Sequence, residues 1–318
     1  MFSSHLHTEP GQTRPILSFA VVGVLLVSLL CGGLAARQAE AAPTPAVASA
    51  APLLMGFQFG LAAENQQALN VIGQTLSDVV SNAVNRKVLW LPNFDLKTAE
   101  ASSDASRYSF AFVKPPNLTA ALLAKGWQLV AVGKDTMHFG TDLIARQCPN
   151  QAGKILVGGG SLSVLGLSTA VPETCISPDA VWNSPSAVLL APQKGSLVDM
   201  IAQKLWLGHA KQLPKVVYVK TQNAVTGLMR DMQVAAIGVV TPVVSKQWLA
   251  EGGVLLQHQP MPMWAVLAAP GVPEDSVTKV RADLLGAASD RANKALGLTG
   301  WEVGSPKAYA DFLKWLKS

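Results

Sequence analysis

The chain has 318 residues, of which 49% are hydrophobic and only 14% charged. That is ample apolar material for a core and a length suited to two domains or lobes, and it excludes a largely disordered polypeptide. The formal net charge is +5 and the pI near 9.1, yet the lysines and arginines are scattered singly. A nucleic-acid binder would cluster them; a mildly basic chain of this kind is compatible with small anionic ligands.

Residues 1–15 are polar and contain Arg14; residues 16–36 (ILSFAVVGVLLVSLLCGGLAA) carry no charge. Small residues follow, and Ala39-Glu40-Ala41 has the form a signal peptidase reads. Residues 1–41 are therefore expected to be a signal peptide cut after Ala41. The alternative is a retained anchor, because about 20 apolar residues span a bilayer. Either way the folded part lies outside the cytoplasm. Cys31 lacks the small preceding residues of a lipobox. Without the leader two cysteines remain, Cys148 and Cys175, and in an oxidising compartment they read as a disulfide. No C-x-x-C suggests redox catalysis.

Residues 42–51 are a Pro- and Ala-rich linker. From there strands alternate with helices. LLMGFQFG (53–60) reads as a buried strand, and Leu69, Ile72, Leu76, Val79, Val80 and Val84 recur at the spacing of an amphipathic helix. VLWLPNFD (88–95) and YSFAFVK (108–114) are strands. PPNLTAALLAKG is a helix with Asn117 as N-cap and Gly126 as its stop, and WQLVAVGK (127–134) is the next strand. FGTDLIAR (139–146) leads into a second unit. There, SAVLLAP (186–192), KVVYVK (215–220), QVAAIGVV (233–240) and GVLLQH (253–258) are strands, and helices close the chain. The pattern predicts an α/β fold of two lobes, each a mainly parallel sheet flanked by helices. Residues 52–143 plus 263–318 form lobe 1. Residues 144–262 form lobe 2, with a Gly-rich insertion at 148–185. The chain crosses between lobes twice, near 139–146 and 258–267.

Two places share one grammar. FAFVKPPNL ends a strand in Lys114 and starts a helix; VLLAPQKGSL ends a strand and passes through Lys194, Gly195 and Ser196 into another. Helix starts expose unpaired N–H groups and a partial positive charge, which attract anions. Gly195 allows close approach, Ser196 can cap the helix, and Asp199 stands where a capping box would close. The plainer reading of each is ordinary capping with a solvated lysine. Gln58, Thr221 and Thr241 sit at strand ends where ligands of such sheets bind, and Trp90 is placed to wall the same crevice. If the two sets of strand ends face each other, Lys114, Lys194 and Ser196 converge.

Enzyme signatures are lacking. GGGS at 158–161 is not followed by the lysine of a phosphate-binding loop. No G-x-S-x-G occurs, and His138, His209 and His258 stand apart, without metal-ligand spacing. No catalytic residue, metal or cofactor is nominated.

YSFAFVKPPNLTAALLAKGWQLVAVGK and, more strongly, PMPMWAVLAAPGVPEDSVTKVRADLLGAASDRANKALGLTGWEVGSPKAYADF resemble segments of phosphate/phosphonate-type periplasmic solute-binding proteins of ABC transporters. The resemblance covers roughly residues 52–318. It implies a type II periplasmic-binding-protein fold, a periplasmic location, a monomer, and a small anionic solute held between the lobes for an ABC importer's membrane subunits. That family grips the oxyanion with a Ser/Thr-rich turn at a helix start. Lys194-Gly195-Ser196 matches it with one hydroxyl rather than several, and the 148–185 segment looks inserted. Two other readings compete: a membrane-tethered ligand sensor if 16–36 is retained, and an enzyme on the same fold, which would need an acid/base pair or nucleophile in the crevice. N-terminal sequencing of the mature protein separates the first from a free binding protein: the cleaved form is expected to begin at Ala42, whereas an anchored form keeps residues 16–36.

Overall fold

A computed structural model describes residues 51–60, 66–95, 97, 108–158, 166 and 173–318. The leader, the linker up to residue 50 and much of the Gly-rich insertion, residues 159–161 of GGGS included, lie outside the described residues. What is described belongs to one unit, Ser49–Ser318.

In chain order the first half comprises β1 (Leu53–Gln58), α1 (Gln66–Val84), β2 (Val88–Leu91), β3 (Phe110–Val113), α2 (Pro116–Ala124), β4 (Gln128–Lys134), β5 (Gly140–Ala145), β6 (Ile155–Val157) and β7 (Thr174–Ile176). The second half comprises β8 (Val188–Pro192), α3 (Leu197–His209), β9 (Lys215–Val219), α4 (Gln222–Asp231), β10 (Ile237–Val240), α5 (Pro242–Ala250), β11 (Val254–Pro260), β12 (Ala265–Ala268), α6 (Glu274–Leu285), α7 (Asp290–Leu296), β13 (Gly300–Glu302) and α8 (Pro306–Lys317). One sheet has the order β13-β4-β12-β3-β1-β2 and the other β11-β5-β10-β8-β9.

Each sheet has a parallel heart. β2, β1 and β3 run together in lobe 1, and β9, β8 and β10 do so in lobe 2. Strands covered on both faces must be apolar throughout, and FAFV of β3, VLLAP of β8 and IGVV of β10 are buried at every position. Antiparallel pairings extend each heart: β3 with β12, β12 with β4 and β4 with β13 in lobe 1, β10 with β5 and β5 with β11 in lobe 2.

α1 lays its predicted stripe on the first sheet: Ile72, Leu76, Val79 and Val80 are buried against Met55, Phe57 and Phe112. Gly73 belongs to the same contact, since a Cβ there would lie 2.3 Å from Trp90 Cδ2. The lobe 2 sheet is covered by α3 on one face, through Ile201, Ala202 and Trp206, and by α4 and α5 on the other, through Val225, Met229 and Trp248.

Some elements differ from the sequence pattern. α2 begins at Pro116 with Pro115 as its N-cap, so Asn117 is already inside the helix and its Oδ1 is buried without a hydrogen-bond partner. Two prolines supply the preset φ of a helix start, a backbone preference that outweighs the asparagine cap. Gly126 does follow the helix with φ +87. β10 begins at Ile237 rather than 233, after Gln233 takes a positive φ of 55. The Gly-rich insertion holds an antiparallel pair, β6 with β7, which the pattern of alternating elements did not suggest.

Cys148 and Cys175 form the expected disulfide, with Cα atoms 5.7 Å apart and a sequence separation of 27. It ties the start of the insertion to β7, and Cys148 packs with Leu156 and Ala235. By loop-closure entropy the bond is worth about 3 kcal/mol. Replacing both cysteines with serine is expected to lower the free energy of unfolding by that amount without altering the far-ultraviolet circular dichroism of the two sheets.

Candidate functional site

The position of the site follows from strand direction. β4 runs parallel to β3, because both are antiparallel to β12, so the chain leaves lobe 1 at the carboxyl end of its parallel strands. β5 then pairs antiparallel with β10, and Asp142 lies opposite Val240, the last residue of that strand. The chain therefore enters lobe 2 at the carboxyl edge as well. The return obeys the same geometry. β11 ends at Pro260 opposite Gly140, and β12 begins at Ala265 opposite Val113, the end of β3. Both crossings join one carboxyl edge to the other, and ligands of α/β sheets bind beyond such edges.

On the lobe 1 edge Lys114 follows β3. It is only 9% exposed; its Nζ lies 4.0 Å from the centroid of the Trp264 ring and 5.9 Å from that of Phe59. A cation over an aromatic face is stabilised by the ring quadrupole, and this stacking explains how an ammonium is kept at a nearly buried edge. Gln58 is occupied by its own loop: Nε2 donates to Phe94 O at 3.0 Å, and Oε1 accepts from Gly60 N at 2.9 Å. Trp90, one residue before the end of β2, turns its ring to α1 at Gly73 and to Phe57, 5.7 Å away edge-on, and so packs as core.

On the lobe 2 edge Lys194 is exposed, Gly195 has φ +75, and Ser196 is the N-cap of α3 as expected, accepting from Asp199 N at 3.4 Å. The Ser196 hydroxyl donates in turn to Pro192 O at 2.9 Å. Asp199, 1% exposed, reaches back to the N–H of Gly195 at 2.8 Å, and its other oxygen accepts from Gln203 Nε2 at 2.8 Å. The Tyr218 hydroxyl also meets this carboxylate. Burial first, and then the charge and hydrogen bond of Asp199, raise that phenol above its ordinary pKa. The helix start thus carries its own anion, one residue off the standard capping-box register. Thr221 caps α4, accepting from Ala224 N at 3.2 Å. Thr241 donates from N and Oγ1 to Gln222 Oε1 at 2.7 and 2.8 Å, which clasps the ends of β9 and β10 together.

The hinge holds a polar group that sequence spacing did not reveal. Asp142 on β5 and His258 on β11 are directly opposite in register, and His258 Nδ1 lies 2.6 Å from Asp142 Oδ1. Ser245 of α5 donates to Oδ2 of the same carboxylate. The carboxylate is 4% exposed and the imidazole 30%. The ring leans over Gly140, where a Cβ would meet His258 Cε1 at 2.4 Å. With a sequence separation of 116, the partners are united only by the antiparallel pairing of the two crossings. His258 Nε2 has no hydrogen-bond partner and Ser245 sits on the far side of the carboxylate, so the three do not make a nucleophile–base relay. Among the described residues no cluster of His, Cys, Asp or Glu could hold a metal ion, and no helix is long and apolar enough to cross a membrane.

No family model matches the sequence, and no curated protein matches it in sequence. Solved structures match the fold. XAC2383 from Xanthomonas citri bound to ATP gives a TM-score of 0.56 at 14% identity, over 83% of this chain and 96% of that one. PhnD1 from Prochlorococcus marinus in complex with methylphosphonate gives 0.57 at 11% identity, over 83% and 97%. The architecture is the type II periplasmic-binding-protein fold.

Removing a hydrogen-bond partner from a buried carboxylate leaves part of its desolvation cost uncompensated. His258→Ala is expected to cost about 1–3 kcal/mol in chemical denaturation, and adding Asp142→Asn should recover part of the loss. Equal, additive losses would show that the pair is uncoupled.

Proposed function

We propose that this is an extracytoplasmic solute-binding protein that captures a small oxyanion between its lobes and delivers it to the membrane subunits of an ABC importer. The observation that carries the reading is the pair of crossings joining two carboxyl edges, with Lys114 held at one of them. Lys194 adds an exposed cation on the other edge, and the fold is shared with a protein that binds methylphosphonate. The internal carboxylate of Asp199 already takes the Gly195 N–H, so a ligand would be drawn chiefly by the two ammonium groups and would meet Ser196, Thr221 and Thr241 as secondary contacts. Ligand bound to both edges favours the closed arrangement, because only there are both sets of contacts made.

An enzyme on this fold is the weaker reading. Asp142 and His258 supply a fixed acid/base pair, but the hydroxyl beside them points at the carboxylate. A tethered sensor depends on residues 16–36, which lie outside the described residues.

The test is a thermal-shift series with phosphate, phosphite, methylphosphonate, sulfate, sulfonates and carboxylates. A ligand at a hundredfold excess over its Kd adds about 2.7 kcal/mol to stability. At least one of these anions is expected to raise Tm, and Lys114→Met is expected to abolish that shift while Asp199→Asn leaves it in place. A shift that survives Lys114→Met removes the cation from the site, and a set of anions with no effect removes the anionic ligand.

A further inference from the structure

The last helix, α8, lies against both lobes, and its two rows of apolar side chains divide between them. Tyr309 and Leu313, four residues apart, form one row. Tyr309 is 1% exposed and packs in lobe 1 with Val113, Ala120 and Leu129. Its hydroxyl donates to Met263 O at 2.6 Å, in the return crossing, and burial raises its phenol pKa far above the ordinary value. Phe312 and Leu316, again four apart, form the second row together with Trp315. Phe312 is 6% exposed and packs in the lobe 2 cluster with Leu143, Trp206 and Met261, and Trp315 and Leu316 pack on the same cluster. Lys204 of α3 closes this side: its Nζ is 5.4 Å from the Trp315 ring and 3.3 Å from Ser318 Oγ.

Side chains three and four apart share one helix face, and on that face Tyr309 and Leu313 lie toward one flank while Phe312, Trp315 and Leu316 lie toward the other. A rigid helix whose two flanks pack in two different lobes is a wedge in the seam between them. When the lobes rotate about the crossings, the helix can follow only one of them. Its hydroxyl bond to the crossing and its deeper row keep it with lobe 1. The Phe312–Trp315–Leu316 row must then slide or separate from α3. We propose that α8 is an interlobe wedge whose lobe 2 row holds the lobes at their resting angle, so that this row, remote from any ligand, sets how readily the cleft moves.

This inference concerns the ligand-free protein and does not depend on the oxyanion reading. The test compares wild-type protein with Trp315→Ala/Leu316→Ala, two half-buried positions. Backbone hydrogen exchange and small-angle scattering are measured without ligand. The expected result is exchange at least about tenfold faster in the crossing segments 135–139 and 261–264 and at 310–317, with the protected cores of both sheets unchanged, and a broader distance distribution. Lys204→Ala, which leaves the core intact, should move the same segments to a smaller extent, and it decides the matter if the double variant does not fold. Unchanged exchange in the crossings, or acceleration spread evenly over both sheets, overturns the proposal.

Discussion

Everything in this molecule hangs on the antiparallel pairing of β5 with β11. Two strands far apart in sequence run side by side, one into lobe 2 and one out of it, and both do so at the carboxyl ends of the parallel strands. Had either been parallel, one crossing would have reached the opposite end of a sheet, and the two edges would not face a common hinge. The backbone ladder therefore places the crevice before any side chain is considered. The side chains then reinforce the ladder. Asp142 and His258 are held across it in direct register, Ser245 binds the carboxylate from α5, and Gly140 leaves the room the imidazole needs. Met261 N donates to Phe139 O at 2.9 Å, and the rings of Phe139 and Trp264 meet edge-on at 5.8 Å, so the two crossings stay in contact beyond the sheet.

The two edges that face this hinge are electrostatically unequal. At the start of α3 the free N–H groups and the helix dipole would favour an anion, and the protein has supplied one in Asp199. A buried carboxylate is stable only when hydrogen-bonded. Here Gly195, Gln203 and Tyr218 meet that need. A guest oxyanion at the same N–H groups would have to approach a like charge. Across the crevice the situation is reversed. Lys114 is set among aromatic rings, which stabilise a cation. On the proposed reading, lobe 1 would offer a negative solute this ammonium, and lobe 2 would offer hydroxyl groups and the exposed Lys194.

The sequence conveys the lobes clearly and the site only in part. Alternating apolar strands and amphipathic helices are local signals, and β1, α1, β3, β8 and α3 stand where their periodicity puts them. Ser196 caps α3 and the two cysteines pair, because capping and loop closure also act over short or simple distances. What periodicity cannot convey is which face of a strand end a side chain takes. Trp90 reads as a crevice wall, yet it faces Gly73 of α1, since β2 is an edge strand whose inner face needed an aromatic to fill the space of an absent Cβ. Asp199 reads as a helix cap, and its role as an internal anion emerges only from its oxygen reaching the Gly195 amide. Asp142 and His258 are invisible as a pair until the ladder sets them opposite. The prolines before Asn117 outweigh it as a cap because a fixed φ acts on the backbone itself.

Each lobe has its own closed core: one is built around Phe57, Phe112 and Val266, the other around Leu143, Leu189 and Trp206. Close-packed interiors deform little, so relative motion of the lobes is confined to what joins them. That leaves three things: the crossing segments, the groups lining the crevice and the adjoining rows of α8. A ligand shifts the balance of two arrangements only by the difference in its contacts with them, and the same holds for side chains of the protein. Contacts of Phe312, Trp315 and Leu316 with lobe 2 enter that balance as well. If the crevice takes a solute as proposed, its affinity would be the sum of what the solute gains there and what the seam behind it gives up, and two chains with identical crevices would differ in affinity through their last helix alone.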